Sequence, residues 1–283
     1  MMHKSSIEIQ GNDAKPLLGD VFSPRIEVAN NIEFMQTIES NSIDLIYCDV
    51  LYGTGRNFGE YQDLKPIRSE IENHYIPRIK EMHRLLSENG CIYLQMDTRI
   101  NHWLRLILDD IFGYDNFRNE ISWCYRSSGF SKDKWSQKHD VILFYTKSKK
   151  YTFNMELIRE TEISKSTQKR FSKDISETGL IPNLKNGKMY YVSPYSPPKD
   201  WINLNTLPQA HKERVGYPTQ KPKELLKRLI LSVTNENDLV ADFYLGSGTT
   251  AVVCKELNRR FVGCDVNANA VKITNERLNG TLF

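Results

Sequence analysis

The stretch Asp-Leu-Val-Ala-Asp-Phe-Tyr-Leu-Gly-Ser-Gly-Thr-Thr-Ala-Val-Val-Cys-Lys-Glu-Leu-Asn-Arg-Arg-Phe-Val-Gly-Cys-Asp, residues 238–265, limits what this chain can fold into more than any other. An apolar run from Leu239 to Tyr244 meets a glycine-bearing turn, Gly246-Ser247-Gly248. Thr249 and Thr250 open an amphipathic stretch to Leu257, and a second apolar run, Phe261 to Cys264, ends on Asp265. The order strand, tight turn, helix, strand and terminal carboxylate is how a doubly wound α/β sheet holds a nucleotide-like ligand at a helix N-terminus. Gly246 and Gly248 let the backbone turn sharply and approach a ligand, and the first N–H groups of the helix face it. Asp265, at the tip of the next strand, can accept both hydroxyls of a ribose. A phosphate-binding P-loop would need a lysine after the second glycine, and none follows Gly248. A dinucleotide fingerprint tolerates Ala251 in place of its third glycine, so that ligand stays open, as does a plain turn that binds nothing.

At 283 residues the chain has room for one large domain, or one domain with a substantial insertion. No apolar run approaches the ~20 residues that span a bilayer, and Met1 to Pro16 has no apolar core of a secretion signal, so a cytoplasmic protein is expected. Five cysteines, at 48, 91, 124, 254 and 264, lack CxxC spacing and read as free thiols, with no metal site expected. Charge is uneven. Residues 126–214 carry 17 Lys/Arg against 9 Asp/Glu, which leaves the rest of a +3 chain at −5. A basic middle of this kind suits a polyanion, although a solvated lysine-rich loop has the same composition.

In order along the chain, residues 1–24 lack periodicity. Ile26–Val28 and Ile43–Cys48 read as strands and Asn31–Ile38 as a helix. Ile71–Leu86 reads as a helix interrupted or kinked at Pro77 and ended by Asn89-Gly90. Cys91–Met96 is the next strand, Trp103–Phe112 a helix stopped by Gly113, and Ile121–Tyr125 and Val141–Tyr145 are strands joined by a basic loop. From Lys147 to about Arg214 periodicity is poor, with tyrosines, tryptophan and prolines among lysines. A helix follows from Lys223 to Val233, with Pro222 at its first turn. No element is assigned beyond Asp265.

Three segments together resemble the S-adenosylmethionine-dependent DNA amino-methyltransferases of the β class. Asp242 to Thr250 is similar to that family's cofactor motif, Asp-Pro-Phe-x-Gly-Ser-Gly-Thr-Thr. Tyr217-Pro-Thr-Gln-Lys-Pro222 is similar to the segment preceding it, and Asp49-Val50-Leu51-Tyr52 stands at the place of the catalytic Asp-Pro-Pro-Tyr. The order, catalytic motif first and cofactor motif last, is the permuted β-class order. The resemblance covers about residues 25–280. It implies a Rossmann-like methyltransferase fold: α/β, a seven-stranded mostly parallel sheet, circularly permuted. Residues 25–125 would be the catalytic half, 126–214 an inserted basic target-recognition region, and 215–283 the cofactor-binding half.

The resemblance also implies roles. Asp49 and the Val50 carbonyl would accept hydrogen bonds from the target amine, and Tyr52 would stack on a base extruded from the duplex. S-adenosylmethionine would lie against Asp242, Tyr244, Gly246, Ser247, Gly248, Thr249 and Asp265, with Thr219 and Lys221 near its methionine moiety. By charge, Lys132, Lys134 and Lys138 of the basic middle would meet phosphates of double-stranded DNA. A homodimer is compatible with the resemblance, but no sequence feature shows one. Asp49 favours adenine N6 as the target, because serine is more usual there in the cytosine-N4 enzymes. Cytosine C5 chemistry is disfavoured, since none of the five cysteines follows a proline. The chain departs from the pattern at both catalytic prolines, now Val50 and Leu51, and at Phe243. That predicts a loop without the φ restraint of proline, and leaves a catalytically silent DNA- or cofactor-binding subunit as the competing reading.

Overall fold

The computed structural model describes residues 22–59, 61–161, 165–185, 188–192 and 195–282; most of the irregular stretch expected at 1–24 lies outside them. Strand β1 (Arg25–Val28) leads to helix α1 (Asn31–Gln36), whose first turn is capped by the Asn30 side chain accepting from the Ile32 amide. Then come β2 (Ile43–Asp49), α2 (Arg68–Leu85), β3 (Leu86–Met96), α3 (Asn101–Phe112), β4 (Phe117–Cys124) and β5 (His139–Thr146). The weakly periodic stretch holds short pieces: β6 (Glu160–Thr161), α4 (Lys165–Arg170), α5 (Ser172–Thr178), β7 (Ile181–Lys185), β8 (Lys188–Val192), β9 (Tyr195–Ser196) and β10 (Trp201–Asn203). The chain then forms α6 (Lys223–Val233), β11 (Leu239–Asp242), α7 (Thr249–Glu256), β12 (Arg260–Asp265) and α8 (Ala268–Leu278).

Eight strands make the main sheet, in the order β1-β12-β11-β2-β3-β5-β4-β10. All pairs are parallel except the two that flank β5, which alone runs against the others. The expected α/β, mostly parallel architecture is present, with eight strands where seven are expected. The short edge strand β10, paired with β4, comes from the weakly periodic stretch, and three residues are too few to display a period of two. Two strands of the sheet, β5 and β10, lie within residues 126–214, so that stretch is partly woven into the sheet.

Alternate residues of the central strands face opposite layers, as the pleat requires. Ile46, Cys48, Ile92 and Leu94 pack with α1, α2 and α3, while Leu45, Tyr47, Cys91 and Tyr93 pack with α6, α7 and α8. Burial on both faces explains why these strands read as continuous apolar runs.

Three local expectations change. Helix α2 continues through Pro77 from Arg68 to Leu85, and strand β3 begins at once, so Asn89-Gly90 lies inside β3 instead of ending the helix. Gly90 is needed there because a Cβ would come within 2.9 Å of the Ile43 and Ser87 carbonyl oxygens. Helix α8 went unread, although the Asn267 side chain caps it and Ala270, Val271, Thr274 and Leu278 form its buried stripe.

Gly248 sits at φ +72°, and a Cβ there would overlap the Thr274 side chain of α8. Gly248→Ala is therefore expected to lower stability by ~1–3 kcal/mol, the cost of a strained backbone position, read as a lower urea midpoint. An unchanged midpoint would mean that α7 and α8 do not pack this closely.

Candidate active site

The site lies where the sheet's connections diverge. From β2 the chain continues to β3 on one side, and from β11 to β12 on the other, so the carboxyl ends of β2 and β11 bound the crevice in which open α/β sheets bind ligands. The cleft has a volume of about 530 Å³ and is lined by Asp49, Tyr52, Thr219, Lys221, Asp242, Tyr244, the Gly246 turn and Asp265, among others. Three segments far apart in sequence, the catalytic-motif segment, the 217–222 segment and the 242–250 segment, thus share one cavity.

At the end of β2, Asp49 forms an ion pair with Lys221 through Oδ2, and its Oδ1 lies 2.8 Å from the Tyr52 hydroxyl. Burial pushes the Asp49 carboxyl above the usual carboxylate range, and the Lys221 ammonium pulls it back. Lys221, expected beside the methionine moiety, lines the cleft and is seated on Asp49, an opposite charge that favours the ionised carboxylate. The Tyr52 hydroxyl also lies 2.7 Å from Asp140 Oδ2 on β5. Asp140 in turn accepts from Tyr125, at 2.9 Å, and from Gln95, at 3.1 Å. Tyr52 is therefore tethered by its hydroxyl as well as presenting a ring to the cleft.

The loop after Asp49 is well fixed despite its missing prolines. The Val50 amide donates to the Gln95 carbonyl of β3 at 3.0 Å, a bond that proline cannot make. Val50 is itself buried in the core. The Leu51 carbonyl accepts from the Tyr75 hydroxyl at 2.8 Å. Beyond it, the buried Asp63 carboxylate accepts from the amides of Gly53 (3.1 Å), Thr54 (2.8 Å) and Leu64 (2.8 Å), and from the Thr54 hydroxyl (2.5 Å). The looseness expected from the missing prolines is thus replaced by hydrogen bonds.

The turn after β11 is built as the glycine pattern predicts. Gly246 is at φ +51° and Gly248 at φ +72°. The Gly246 amide donates to Asp265 Oδ2 at 2.8 Å, and the Asn267 amide to Asp265 Oδ1 at 2.9 Å. The carboxylate keeps acceptor capacity for a ligand. Asp242, almost fully buried, accepts from the Tyr244 amide (3.0 Å) and the Thr250 hydroxyl (2.6 Å). Burial outweighs these bonds and pushes its pKa up to about 7. The Arg277 guanidinium of α8 donates to the Ser247 carbonyl at 2.6 Å and to the Thr249 hydroxyl at 3.2 Å, which steadies the turn from behind.

The Tyr244 side chain is placed by residues that carried no sequence signal. Its hydroxyl lies 3.0 Å from His74 Nε2 on α2. Arg78 reaches Asn31 at 2.9 Å, and Asn31 reaches the Phe243 carbonyl at 3.3 Å. Desolvation holds His74 down at about 4, with Arg78 adding to the shift. Asn31, Asp63, His74, Arg78, Gln95, Tyr125 and Asp140 are among the members of the site that sequence reading missed. Only Asp140 carried a usable hint, as a carboxylate at the start of an apolar strand run.

The cavity's chemistry fits the S-adenosylmethionine implied by the resemblance. Asp265 stands ready for a diol, Asp242 and Asp49 supply negative charge for a cationic ligand, and Tyr244 offers a ring. Three carboxylates in one cleft would repel the diphosphate of a dinucleotide. Among the described residues no group of three His, Cys, Asp or Glu could hold a metal ion, and no helix is long and apolar enough to cross a membrane.

The basic loop between β4 and β5 begins and ends at this site, through Tyr125 and Asp140. Lys132 and Lys134 are exposed on it. Lys138 differs from its expected role: its ammonium donates to the Ser127 carbonyl (2.8 Å), the Ser127 hydroxyl (2.7 Å) and the Gly129 carbonyl, so its three protons are used in folding the loop.

Val50→Pro is expected to remove the Val50–Gln95 bond and strand a buried carbonyl, lowering stability by ~1–3 kcal/mol. Restoring the family's proline would then loosen the loop's tie to β3 rather than tighten it. A proline variant that melts no earlier and turns over faster would mean that the loop is loose after all.

A family model described as DNA methylase, of the N6/N4 methyltransferase type, matches residues 43–276. The chain is 32% identical over 257 residues to the type II methyltransferase M.HpaI of Haemophilus parainfluenzae, covering 90% of this chain and 74% of that protein. It is 30% identical over 276 residues to the DNA adenine methyltransferase YhdJ of Escherichia coli K12, covering 95% and 84%. Among solved structures, M1.HpyAVI in complex with SAM superposes with a TM-score of 0.56 at 20% identity, over 90% of this chain and 100% of that one. The cytosine-N4-specific PvuII DNA methyltransferase gives 0.60 at 13% identity, over 91% and 93%. At such identities the structural likenesses speak for the fold alone.

Proposed function

The chain belongs to the N6/N4 family of DNA methylases, and we propose that it moves the methyl group of S-adenosylmethionine to adenine N6 in duplex DNA, on a base turned out of the helix. The observation that carries this reading is that Asp49 and the Gly246–Gly248 turn open into one cleft, which sets an amine acceptor beside a cradle for a cationic nucleoside. S-adenosylmethionine, when bound, supplies a methyl group made electrophilic by its sulfonium. The remaining work is orientation and electrostatics.

Asp265 takes the ribose hydroxyls, Asp242 the ammonium of the amino-acid moiety, and the Gly246 turn lets the ligand lie close to the backbone. Lys221 turns from Asp49 as the target amine arrives. Asp49 then accepts a hydrogen bond from that amine, which draws its nitrogen toward a geometry with a directed lone pair. The Tyr52 ring forms one wall for the extruded base. Lys132 and Lys134 meet the phosphates, and the rest of 126–214 contributes to target recognition. Asp49 supports adenine over cytosine, as does the named activity of YhdJ.

Asp49→Ala is expected to keep folding and cofactor affinity but lose methyl transfer by ~100-fold or more, as a misplaced nucleophile does. The measurement is single-turnover transfer of labelled methyl to mixed-sequence DNA, followed by nucleoside chromatography. N4-methylcytosine in the wild-type product would replace the adenine reading. No label in DNA, with the cofactor still bound, would favour a silent binding subunit.

Cofactor affinity provides a second test. Asp265→Ala is expected to cost ~1.5–3 kcal/mol, the worth of hydrogen bonds to a charged group. A cation needs Asp242 as the carboxylate, and Asp242 is protonated below about 7. Affinity should therefore fall as pH drops through 7, with proton release on binding, and Asp242→Asn should flatten that dependence. Calorimetric titration that shows Asp265→Ala binding as tightly as wild type would remove Asp265 from the site.

A further inference from the structure

Between Asp49 and Asp140 there are more close oxygen contacts than Tyr52 has protons to fill. The Tyr52 hydroxyl oxygen lies 2.8 Å from Asp49 Oδ1 and 2.7 Å from Asp140 Oδ2. Both are hydrogen-bond distances, and a phenol carries one proton. Gln95 does not supply the missing one. Its carbonyl accepts from the Tyr47 hydroxyl at 2.9 Å, which fixes the amide's orientation. Its Nε2 makes separate contacts to the Tyr52 hydroxyl (3.2 Å) and to Asp140 Oδ2 (3.1 Å). Two ionised carboxylates facing one phenol would leave an oxygen–oxygen contact with no hydrogen in it, which like charges do not sustain in a buried setting.

We infer that Asp49 and Asp140 share one proton through the Tyr52 hydroxyl, and that Asp140 is thereby a positioning residue for the methyl-accepting site. This rests on the amine-methylation reading above. With the proton on Asp49, Tyr52 donates to Asp140. With the proton on Asp140, Tyr52 donates to Asp49. Only the second arrangement leaves Asp49 a carboxylate that can accept from the target amine. The exchange moves two protons along hydrogen bonds already formed and needs no movement of the ring. In the transfer itself, the amine lone pair forms the N–C bond as the C–S bond breaks and its electron pair stays on sulfur. The positive charge passes to nitrogen, which loses one proton to Asp49. The Asp49 and Asp140 carboxylates then hold two protons between them, besides the phenol's own, and return one to solvent to reset.

Other ionisable groups face the pair. Lys221 lowers the Asp49 pKa, and Tyr47 on the same strand, Tyr61 and Asp242 lie close enough to feel the Asp49 charge. Tyr125 donates to Asp140 Oδ1, and Tyr47 is close enough to feel both carboxylates. Among the described residues, Lys221 is the one cation in direct contact with the pair. It favours the arrangement with Asp49 ionised, and its departure when the amine arrives is balanced by the amine's own hydrogen bond.

The test uses the full-length protein and two variants. Asp140→Asn keeps the shape and can donate to Tyr52, and Tyr52→Phe keeps the ring and breaks the bridge. The first readout needs no activity: infrared difference spectra in H2O and D2O, all recorded in an Asp242→Asn background so that Asp242 adds no carboxylic acid signal. The expected result is one deuterium-sensitive carboxylic acid band at neutral pH that is lost in both variants. A band that survives in both, or is absent from the parent, overturns the shared proton. The second readout is single-turnover transfer with saturating cofactor, with Asp242 intact. Asp140→Asn is expected to be slower by ~100-fold, as for a misaligned site, with unchanged cofactor affinity and a displaced pH–rate limb. Asp140→Glu should recover part of the rate. An Asp140→Asn protein with wild-type rate and pH profile would also overturn the assignment. If the wild type itself transfers no methyl group to DNA, the functional reading fails, while the infrared result still decides the proton.

Discussion

Everything at this site depends on the parallel pairing of β2 with β11, where Leu45 lies beside Val240 and Ile46 beside Ala241. The two strands come from opposite ends of the sequence; the Phe243 amide and the Cys48 sulfur, 195 residues apart, are 3.4 Å from each other. The contact is paid for by apolar burial on both faces of the sheet. Its consequence is that Asp49 and Asp242 project from adjacent strand ends into one crevice. The Asp44 carboxylate helps to set the register, accepting from the Leu239 amide at 2.9 Å. A slip of one residue would send every side chain of a strand to the opposite face.

The loop after Asp49 shows how one restraint can stand in for another. Proline restricts φ through a ring and removes a donor. Here valine supplies a donor, the Gln95 carbonyl receives it, and the Asp63 carboxylate gathers four more donors from the loop. Hydrogen-bond restraint of this kind ties the loop to β3. The segment that carries Asp49 is thereby fixed relative to Gln95, which contacts both Tyr52 and Asp140.

The electrostatics divide the cleft. Three carboxylates, Asp49, Asp242 and Asp265, line one cavity, and burial raises the pKa of each. Asp242 and Asp265 are satisfied by backbone amides and the Thr250 hydroxyl, which fix them in place and leave capacity for a ligand. Asp49 is satisfied by side chains, the Lys221 ammonium and the Tyr52 phenol. Backbone donors thus hold Asp242 and Asp265, and side-chain donors hold Asp49. His74 is kept low by desolvation, and its neutral ring positions the Tyr244 hydroxyl.

The sequence by itself determined the doubly wound class and the central strands, because burial on both faces writes itself as apolar runs. It also located the Gly246–Gly248 turn and the carboxylate at the tip of β12, because positive φ and close approach admit few residues. Asp49 was legible as a carboxylate closing an apolar run, and Asp242 only through the resemblance of its motif. Helix α8 was legible in principle, from Asn267 and the spacing of Ala270, Thr274 and Leu278, yet went unread. What only the tertiary structure decided were the relations between elements. The edge strand β10 is too short to show a period. Asp63 replaces the prolines through backbone amides, which no side-chain pattern reports. Lys138 looked like a phosphate contact by charge, but geometry spends its protons on Ser127 and Gly129. The partners of Tyr52, Gln95 on β3 and Asp140 on β5, are set by which strands neighbour one another. A sequence states what each residue can donate, accept or bury, and strand order alone determines which of those capacities meet.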